Sequence, residues 1–498
     1  MVRGVCYTSP TGCRMMIFLR TPYAQPPGRF QRSYPKRPWR GVVNANTPTT
    51  GCTQGEFGPP NSTKLSEDSS EDCLFVKIVV PVIPRRLRPQ GGYPILLWPH
   101  GGGFNDGDGD YDHDTQCDVT VSKGVIMMQP NYRVGPLGFF TTGTPEAPGN
   151  YALWDVFNAM MFAKRVARSF GGNPDNIVLS GQGSGGTLSS SLSYSPRAWN
   201  LYSKVIALGA TPLVPEVSET MDSYLAKNRR FAIGAGCATE AQWDMGDFQP
   251  VVDCLRSADL QQMADVYIPQ TRGVIAYWHM VVDGRGGLLP RPLEELGALR
   301  PNVPVLTGRS SSIGPGQAQL SCNYSPDRYE AIAQQSQSPR RFMDVAVRIG
   351  STSHYHGPVF KDIEQYLRNG NPDVYLYSFE YLRQQEDPWW QAVGTFHNFD
   401  LSFLENFLTK SPQNSGPYYF DTRAGRDGQM TRIWGEVITS FAKYGQPMMP
   451  PPFNRNTTWA AVSSVDGSGF MSLDVPPRMR LYYHPEDLAY WFRSQPAK

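Results

Sequence analysis

Short apolar runs alternate with longer segments of helical periodicity along much of the chain. The runs have the length and continuity of strands buried on both faces, and they lie at Pro94–Trp98, Gly124–Met128, Asn176–Leu179, Val303–Leu306 and Asp373–Tyr377. Between them, segments such as Leu153–Ser169 repeat apolar residues at helical spacing. This alternation predicts an α/β fold with a mostly parallel central sheet and helices on both faces, because helices that connect parallel strands cover both sides of the sheet.

The segment from Asn176 to Thr187 has the pattern of a strand, a tight turn and a helix, and the turn reads Gly181-Gln182-Gly183-Ser184-Gly185. In esterases of the α/β-hydrolase type, such a turn reads Gly-x-Ser-x-Gly and exposes the nucleophilic serine at the top of the sheet. Here the central position is Gly183, which has no side chain that could attack a carbonyl. In this register the chain has lost its nucleophile.

The residues alone leave two other interpretations of this turn open. Gly181, Gly183 and Gly186 also match Gly-x-Gly-x-x-Gly, which holds a dinucleotide pyrophosphate at a helix N-terminus. The next strand-like segment, Lys204–Gly209, lacks the acidic residue that dinucleotide binding requires there. Alternatively, the nucleophile could be Ser184, but that register needs glycine at position 182, which is glutamine.

Several separated blocks resemble, in order and spacing, segments of the cholinesterase and type-B carboxylesterase family. They are Phe18–Pro27, Ser70–Phe75, His100–Phe104, Asn131–Phe139, Ala147–Asn150, Phe170–Asn176 and Leu473–Met479. The resemblance supports the register in which Gly183 replaces the nucleophile. It implies the α/β-hydrolase fold and a single domain over residues 1–498. We expect a leader and any flanking anchor to be missing, because the first residues already resemble the family's first strands.

The same resemblance assigns the remaining catalytic positions. Ile313 occupies the acid position and His397 the histidine position. A carboxylate is needed to hold the imidazole tautomer and to stabilise the imidazolium, and isoleucine can do neither. The oxyanion-hole donors are implied at Gly102, Gly103 and Ser184. We therefore expect an inactive site in which His397 is a structural remnant and the glycines serve a tight loop.

A complete fold without its catalytic residues is most similar to the non-catalytic cholinesterase-like proteins, such as neuroligins, gliotactin, glutactin and the C-terminal domain of thyroglobulin. This implies an extracellular pseudoenzyme that binds another protein in recognition, adhesion or assembly. A homodimer would form through C-terminal helices at Met430–Ala442 and Pro485–Trp491. The apolar residues to test at such a contact are Ile433, Trp434, Val437 and Phe441. Their alternative role is packing on the domain's own core.

Two further functions remain open at this point. One is a degenerate carboxylesterase with residual ester binding or hydrolysis, and the other is a carrier of a hydrophobic ligand. Choline is not expected as a ligand. Cholinesterases carry a choline-stacking tryptophan in the first disulfide loop, and residues Thr53 to Asp72 contain none.

The chain has eight cysteines, which favour an oxidising compartment. The family register pairs Cys52 with Cys73 and Cys237 with Cys254. Cys6 and Cys13 flank a short turn and form a candidate third pair, whereas Cys117 and Cys322 are unassigned. Glycosylation acceptors of the form Asn-x-Ser/Thr lie at Asn61, Asn323 and Asn456. Asn323 is the weakest acceptor, because Pro326 follows its serine.

Five carboxylates alternate along one loop directly after the glycine run, at Asp106, Asp108, Asp110, Asp112 and Asp114. Several carboxylates on one loop suit Ca²⁺, which takes six to eight oxygen ligands. The alternative is a solvated acidic rim, and no other cofactor is indicated. The net charge of +2, with both signs mixed, gives no nucleic-acid footprint. No apolar run approaches the length of about 18 residues that a transmembrane helix needs.

Overall fold

Strands and helices alternate through most of the structure. The computed structural model describes residues 1–26, 28–56, 62–215, 217, 220–271, 276–312, 339–382, 395, 397, 400–405, 424–455, 457–464 and 469–494. The strands are β1 (Val2–Arg3), β2 (Val5–Thr8), β3 (Arg14–Pro22), β4 (Ala24–Gln25), β5 (Tyr34–Pro35), β6 (Val43–Asn44), β7 (Gly51–Cys52), β8 (Ser69–Ser70), β9 (Phe75–Pro81), β10 (Tyr93–Leu97), β11 (Ile126–Pro130), β12 (Gly172–Gln182), β13 (Lys204–Leu208), β14 (Val305–Ser310), β15 (Val374–Phe379), β16 (Phe470–Leu473) and β17 (Arg478–Arg480).

The α-helices follow the same chain order. They are α1 (His113–Val119), α2 (Gly135–Phe139), α3 (Tyr151–Val166), α4 (Gly183–Tyr194), α5 (Met221–Gly234), α6 (Glu240–Met245), α7 (Gln249–Ser257), α8 (Leu260–Thr271), α9 (Leu293–Gly297), α10 (Pro339–Gly350), α11 (Gly357–Arg368), α12 (Ser402–Glu405), α13 (Gly425–Tyr444) and α14 (Pro485–Ser494). A π-helical turn, Ser351–His356, joins α10 to α11. Among these described helices, none is long and apolar enough to cross a bilayer.

One sheet of 11 strands has the order β17-β16-β15-β14-β13-β12-β10-β11-β9-β3-β2. The central strands from β11 to β16 in this order are parallel. Strand β17 at one edge, and β9, β3 and β2 at the other, are antiparallel to their neighbours. The carboxyl ends of parallel strands meet at one edge of a sheet, where α/β proteins bind ligands. The glycine turn lies at this edge because it follows β12.

Helices cover both faces of the sheet, and β10 shows how its residues divide between them. Ile95 and Leu97 belong to the same buried cluster as Leu153 of α3. Leu96 and the adjacent Trp98 belong to a second cluster, which contains α13. Successive side chains of a strand point to opposite faces, so a continuous apolar run supplies both cores. The predicted α/β architecture, with a mostly parallel sheet and helices on both faces, is confirmed.

Helix α13 is buried on nearly every side. Ile433, Trp434, Val437 and Phe441 are fully buried, and the Trp434 ring lies 5.0 Å from the ring of Tyr377 on β15. These side chains cover the sheet and present no surface to a second copy. The expectation that these four residues form a homodimer contact is therefore wrong, and their alternative role in the core is correct.

Two of the disulfides are those implied by the family register. Cys52 pairs with Cys73 and Cys237 with Cys254, and their Cα atoms are 4.9 and 5.4 Å apart. The paired cysteines are 21 and 17 residues apart in the sequence, so each bond closes a short loop.

A third disulfide corrects the sequence expectation for Cys13. It joins Cys13 to Cys117 of α1, 104 residues away, whereas Cys6 is a free, exposed cysteine. The candidate pair Cys6 and Cys13 is therefore wrong. The antiparallel register of β2 and β3 places Cys6 opposite Met16, and Cys13 lies in the turn, where α1 reaches it. Cys322 lies outside the described residues.

Candidate functional site

The glycine turn joins the end of β12 to the start of α4 and packs tightly against its neighbours. A Cβ atom added to Gly185 would lie 2.1 Å from the carbonyl oxygen of Pro99, and one on Gly186 would lie 2.6 Å from the Cβ of Ala210. Distances this short exclude any side chain at either position. Gly185 and Gly186 are thus required by the close approach of α4 to adjacent backbone.

Gly183, at the centre of the same turn, has a different environment. A Cβ atom there would lie 3.5 Å from Nε2 of His397, which is an ordinary van der Waals contact. The backbone of Gly183 is left-handed, with φ of +57°, a conformation that is strained for other residues and is typical of the nucleophile turn in α/β-hydrolases. A Cβ atom at position 183 would therefore fit opposite His397, and the sequence supplies none.

Two hydrogen bonds connect the loop of His397 to the end of β14. The amide of Ser312 donates to the carbonyl of Thr395 at 2.9 Å, and the amide of Thr395 donates to Oγ of Ser311 at 2.9 Å. Residue 313, the expected acid position, comes next in the chain, but Ile313 lies outside the described residues. The structure thus brings together the segments that lead to the acid and histidine positions.

The His397 ring lies in an apolar and cationic environment. Its Nδ1 edge faces Gly209, where an added Cβ would lie 3.2 Å away, and its centroid is 5.1 Å from that of Tyr355. Burial, and then the positive charge of Arg309, lower the pKa of His397 to about 3. A histidine that acts as a general base must gain a proton, and this environment favours the neutral ring.

A buried carboxylate close to His397 in sequence is engaged elsewhere. Asp400 accepts hydrogen bonds from the Tyr377 hydroxyl at 3.2 Å and from the Leu401 amide at 3.0 Å. Burial raises its pKa to about 6. Sequence analysis identified neither Asp400 nor Arg309. The available signal for Arg309 was an arginine that closely follows the apolar run Val303–Leu306.

The expected oxyanion-hole segments lie side by side. Gly102 and Gly103 have left-handed φ angles of +111° and +60°, and the loop that contains them packs against the start of α4 through the contact of Gly185 with Pro99 and His100. The Ser184 amide is in the first turn of α4, where backbone N–H groups have no intrahelical acceptor. The two segments that the resemblance assigns to the oxyanion hole are therefore adjacent in the structure.

Ser184 itself does not replace the nucleophile. Its side chain is buried, and its Oγ lies 3.4 Å from the hydroxyl of Tyr132, which in turn donates to the carbonyl of His100 at 2.8 Å. The Ser184 hydroxyl therefore points under the glycine loop, whereas the His397 nitrogen faces position 183. This geometry excludes the alternative register.

The five alternating aspartates between Asp106 and Asp114 each have their own contacts or environment. Asp110 forms an ion pair with Lys77 at 2.9 Å, Asp112 caps α1, and Asp114 accepts from Tyr7 at 3.4 Å. Asp108 accepts the Asp110 amide at 2.7 Å, and burial raises the pKa of Asp106 to about 7. The loop therefore does not gather these five carboxylates around one point where Ca²⁺ would bind.

An apolar cavity of about 200 Å³ lies beside α4 and α5. Leu213, Met221, Met280, Leu289 and Leu293 line it. It is smaller than the roughly 300–1,000 Å³ of most small-molecule pockets. The three glycosylation acceptors, Asn61, Asn323 and Asn456, lie outside the described residues.

The mostly parallel sheet and the strand-turn-helix at Gly183, with His397 opposite it, are those of an α/β-hydrolase. The family model "Carboxylesterase family" matches residues 1–321 and 317–491. The chain belongs to this family, which confirms the resemblance and excludes the dinucleotide interpretation of the glycine turn.

Two named relatives match nearly the whole chain, and a third matches half of it. Gut esterase 1 of Caenorhabditis briggsae is 26% identical over 95% of this chain and 88% of its own length. Acetylcholinesterase 1 of Caenorhabditis elegans is 25% identical over 97% of this chain and 85% of its own length. Bile salt-activated lipase of Bos taurus is 31% identical over 50% of this chain and 40% of its own length.

Proposed function

We propose that this chain is a catalytically inactive, extracellular member of the carboxylesterase family that acts by binding another protein. The observation that carries the proposal is the glycine at position 183, opposite Nε2 of His397. Ester hydrolysis by this site type requires a nucleophilic oxygen at that point. Loss of the nucleophile costs several powers of ten in kcat, because triad members act as a unit.

The surroundings of His397 add to this argument. Isoleucine at position 313 offers no carboxylate to stabilise an imidazolium. Burial and Arg309 instead lower the pKa of His397, so the ring is a poor proton acceptor. Restoring one side chain at Gly183 therefore leaves a second deficiency, and two independent losses support inactivity more strongly than one.

An extracellular role in protein recognition is supported by what the chain retains. Three disulfides suit an oxidising compartment. Proteins are only about 5–15 kcal/mol more stable than their unfolded state, so a scaffold with no use accumulates destabilising changes. The glycines that permit close packing remain, although the chemistry they once supported is lost. A binding surface gives a reason for the scaffold to persist.

The main rival function is a degenerate esterase, since the named relatives are esterases and a lipase. The purified chain should therefore be treated with a fluorophosphonate probe and assayed with p-nitrophenyl acetate. We expect no labelling, and hydrolysis no faster than that of heat-denatured protein. His397→Ala is the matched control, because it removes the remaining triad side chain. Hydrolysis above background that falls in this variant would contradict the proposal.

Protein binding requires its own test. Light scattering at micromolar concentration reports self-association, and proximity labelling in the native tissue reports other partners. We expect at least one of the two to be positive. A strict monomer without any recovered partner would leave inactivity intact and remove the recognition role. A hydrophobic-ligand carrier is a weaker second candidate, because the apolar cavity of about 200 Å³ is small for such a ligand. Mass spectrometry of extracted ligand tests it.

A further inference from the structure

Two histidine rings stack face to face where the last helix meets the body of the protein. His356 ends the π-helical turn, and His484 directly precedes α14. The ring centroids are 3.7 Å apart and the planes differ by 7°. The side chain of His356 is fully buried, whereas that of His484 is 18% exposed. The pair therefore lies at the junction of α14 with the body, and solvent reaches one ring.

A single carboxylate serves both rings. Oδ2 of Asp487, in the first turn of α14, lies 2.7 Å from Nδ1 of His356 and 3.9 Å from Nδ1 of His484. At the other edge of the His484 ring, Nε2 is 3.0 Å from Oγ of Ser378. Nε2 of His356 is buried without a hydrogen-bond partner. One negative charge can balance one imidazolium but not two.

The same junction holds α14 in place. The Trp491 ring lies against the backbone of Gly357, so close that a Cβ atom there would be 2.3 Å from the ring. Tyr482 and His484 have left-handed φ angles of +61° and +41°. Such conformations are strained and persist only when the surroundings enforce them. Loosening the stack would therefore let the segment before α14 relax.

Charged groups of both signs surround the junction. The charged or titratable groups on the packed elements are Arg348, His354, Glu380, Arg480, Tyr483, Glu486 and Asp487, with Arg309 near Tyr483. Burial first, and then the neighbouring His356, hold the pKa of His484 well below its ordinary value, with Arg480 adding to this effect and Asp487 opposing it.

We propose that the stack of His356 and His484 is an acid-sensitive latch, which keeps α14 docked at neutral pH and releases it when both rings become protonated. Two facing imidazolium rings repel each other, and Asp487 neutralises only one of them. At pH values between the depressed pKa of His484 and its ordinary value of about 6.5, the undocked segment binds more protons than the docked one. Docking of α14 is therefore most favourable above about pH 6.5, and its free energy is lost as the pH falls below that value.

A shared metal ion does not account for this geometry. A metal bound by two imidazoles lies near the plane of each ring, and its tetrahedral ligands diverge. Face-to-face rings have parallel planes that do not meet at such a point. The latch is also independent of whether the site at Gly183 has activity, so its test and the esterase assay can fail separately.

Hydrogen exchange of residues 485–494 tests the latch. The full chain is measured at pH 7.5, 6.0 and 5.0 with EDTA, and rates are corrected for the intrinsic pH dependence of exchange. We expect protection of α14 to fall at least tenfold between pH 7.5 and 5.0. In His484→Asn, which cannot be protonated and tolerates the left-handed backbone, the change should stay within twofold. The matched control His113→Asn, on α1, should behave like the wild type.

Three results would overturn the latch. The first is protection of α14 that does not change with pH in the wild type. The second is a loss of protection at pH 5.0 in His484→Asn as large as in the wild type. The third is protection that depends on zinc and is abolished in His484→Asn. If the variant does not fold, the carbon-labelled histidine resonances of the wild type provide the test. A His484 ring that titrates at or above about 6.5 would contradict the latch, and one that titrates clearly below would support it.

Discussion

A side chain at position 183 would point at a histidine that is still in place. The left-handed turn, the facing nitrogen of His397 and the oxyanion loop around Gly102 persist together. Gly185 and Gly186 are glycines because no Cβ atom fits, whereas Gly183 is a glycine although one does. The proposed inactivity would therefore reflect missing functional groups and not a collapsed site.

Restoring both missing groups should restore more activity than restoring either alone. We expect Gly183→Ser to remain at least about 10³-fold below a normal esterase, because its histidine lacks an acid partner. The double variant with Ile313→Glu should exceed both single variants in fluorophosphonate labelling rate. Ile313→Gln in the same background is the control for side-chain size. Equal rates for the glutamate and glutamine variants would show that residue 313 is not the acid position.

Asp106 should make the protein less stable as the pH rises. Burial raises its pKa to about 7, from an ordinary value near 4. Between these values the unfolded chain has released the proton that the folded protein keeps, so stability falls from about pH 4 to pH 7. Asp106→Asn should raise the Tm by about 2 °C or more at pH 8 and leave it unchanged at pH 4. A gain of equal size at both values would contradict this linkage.

The same sequence pattern can have different structural roles, depending on which elements pack against it. An amphipathic helix with apolar residues at helical spacing fits either a dimer contact or a core. Helix α13 is a core helix, because β10 and β15 present a second apolar face that must be covered. Similarly, Cys13 has Cys6 as its sequence neighbour but α1 as its spatial neighbour.

Trp434→Ala should destabilise the fold without changing the oligomeric state. The side chain is fully buried and contacts the rings of Tyr377 and Phe379, so its removal should cost about 3–5 kcal/mol. Arg432→Ala, exposed on the same helix, should change stability by no more than about 0.5 kcal/mol. Calorimetry and light scattering measure the two effects. Lost self-association at unchanged stability would restore the pairing role of Trp434.

The disulfide between Cys13 and Cys117 should contribute more stability than the shorter ones. In the chain-entropy model, closing a loop of about 100 residues contributes about 4.7 kcal/mol, against about 3 kcal/mol for a loop of 15. We expect a larger fall in Tm for the double serine variant of Cys13 and Cys117 than for that of Cys237 and Cys254. Cys6→Ser should be neutral. Peptide mapping that finds Cys6 bonded to Cys13 would contradict this assignment.

The whole molecule is organised around a sheet that takes strands from distant parts of the chain. Strand β2 begins at Val5 and β17 ends at Arg480, and both belong to the same 11-stranded sheet. The site at the end of β12 depends on loops that follow β10, β14 and β15, so it persists as long as the sheet does. The outline of the site therefore does not depend on the side chain at position 183.

The sequence by itself determined the architecture, and it carries the glycine at position 183 on which the proposed inactivity rests. Continuous apolar runs predict buried parallel strands because both faces of such strands need apolar side chains. The family resemblance, and not the turn alone, assigns Gly183 to the nucleophile position. Two of the disulfides also followed from the family register. These features are encoded locally, within a strand, a turn or a short loop.

Only the tertiary structure decided the contacts between residues far apart in the chain. It paired Cys13 with Cys117, buried α13, separated the five aspartates and placed Arg309 near His397. It also stacked His356 on His484, 128 positions later in the numbering of this sequence. Spacing along the sequence does not reveal such contacts, because they depend on how the sheet brings separate loops together.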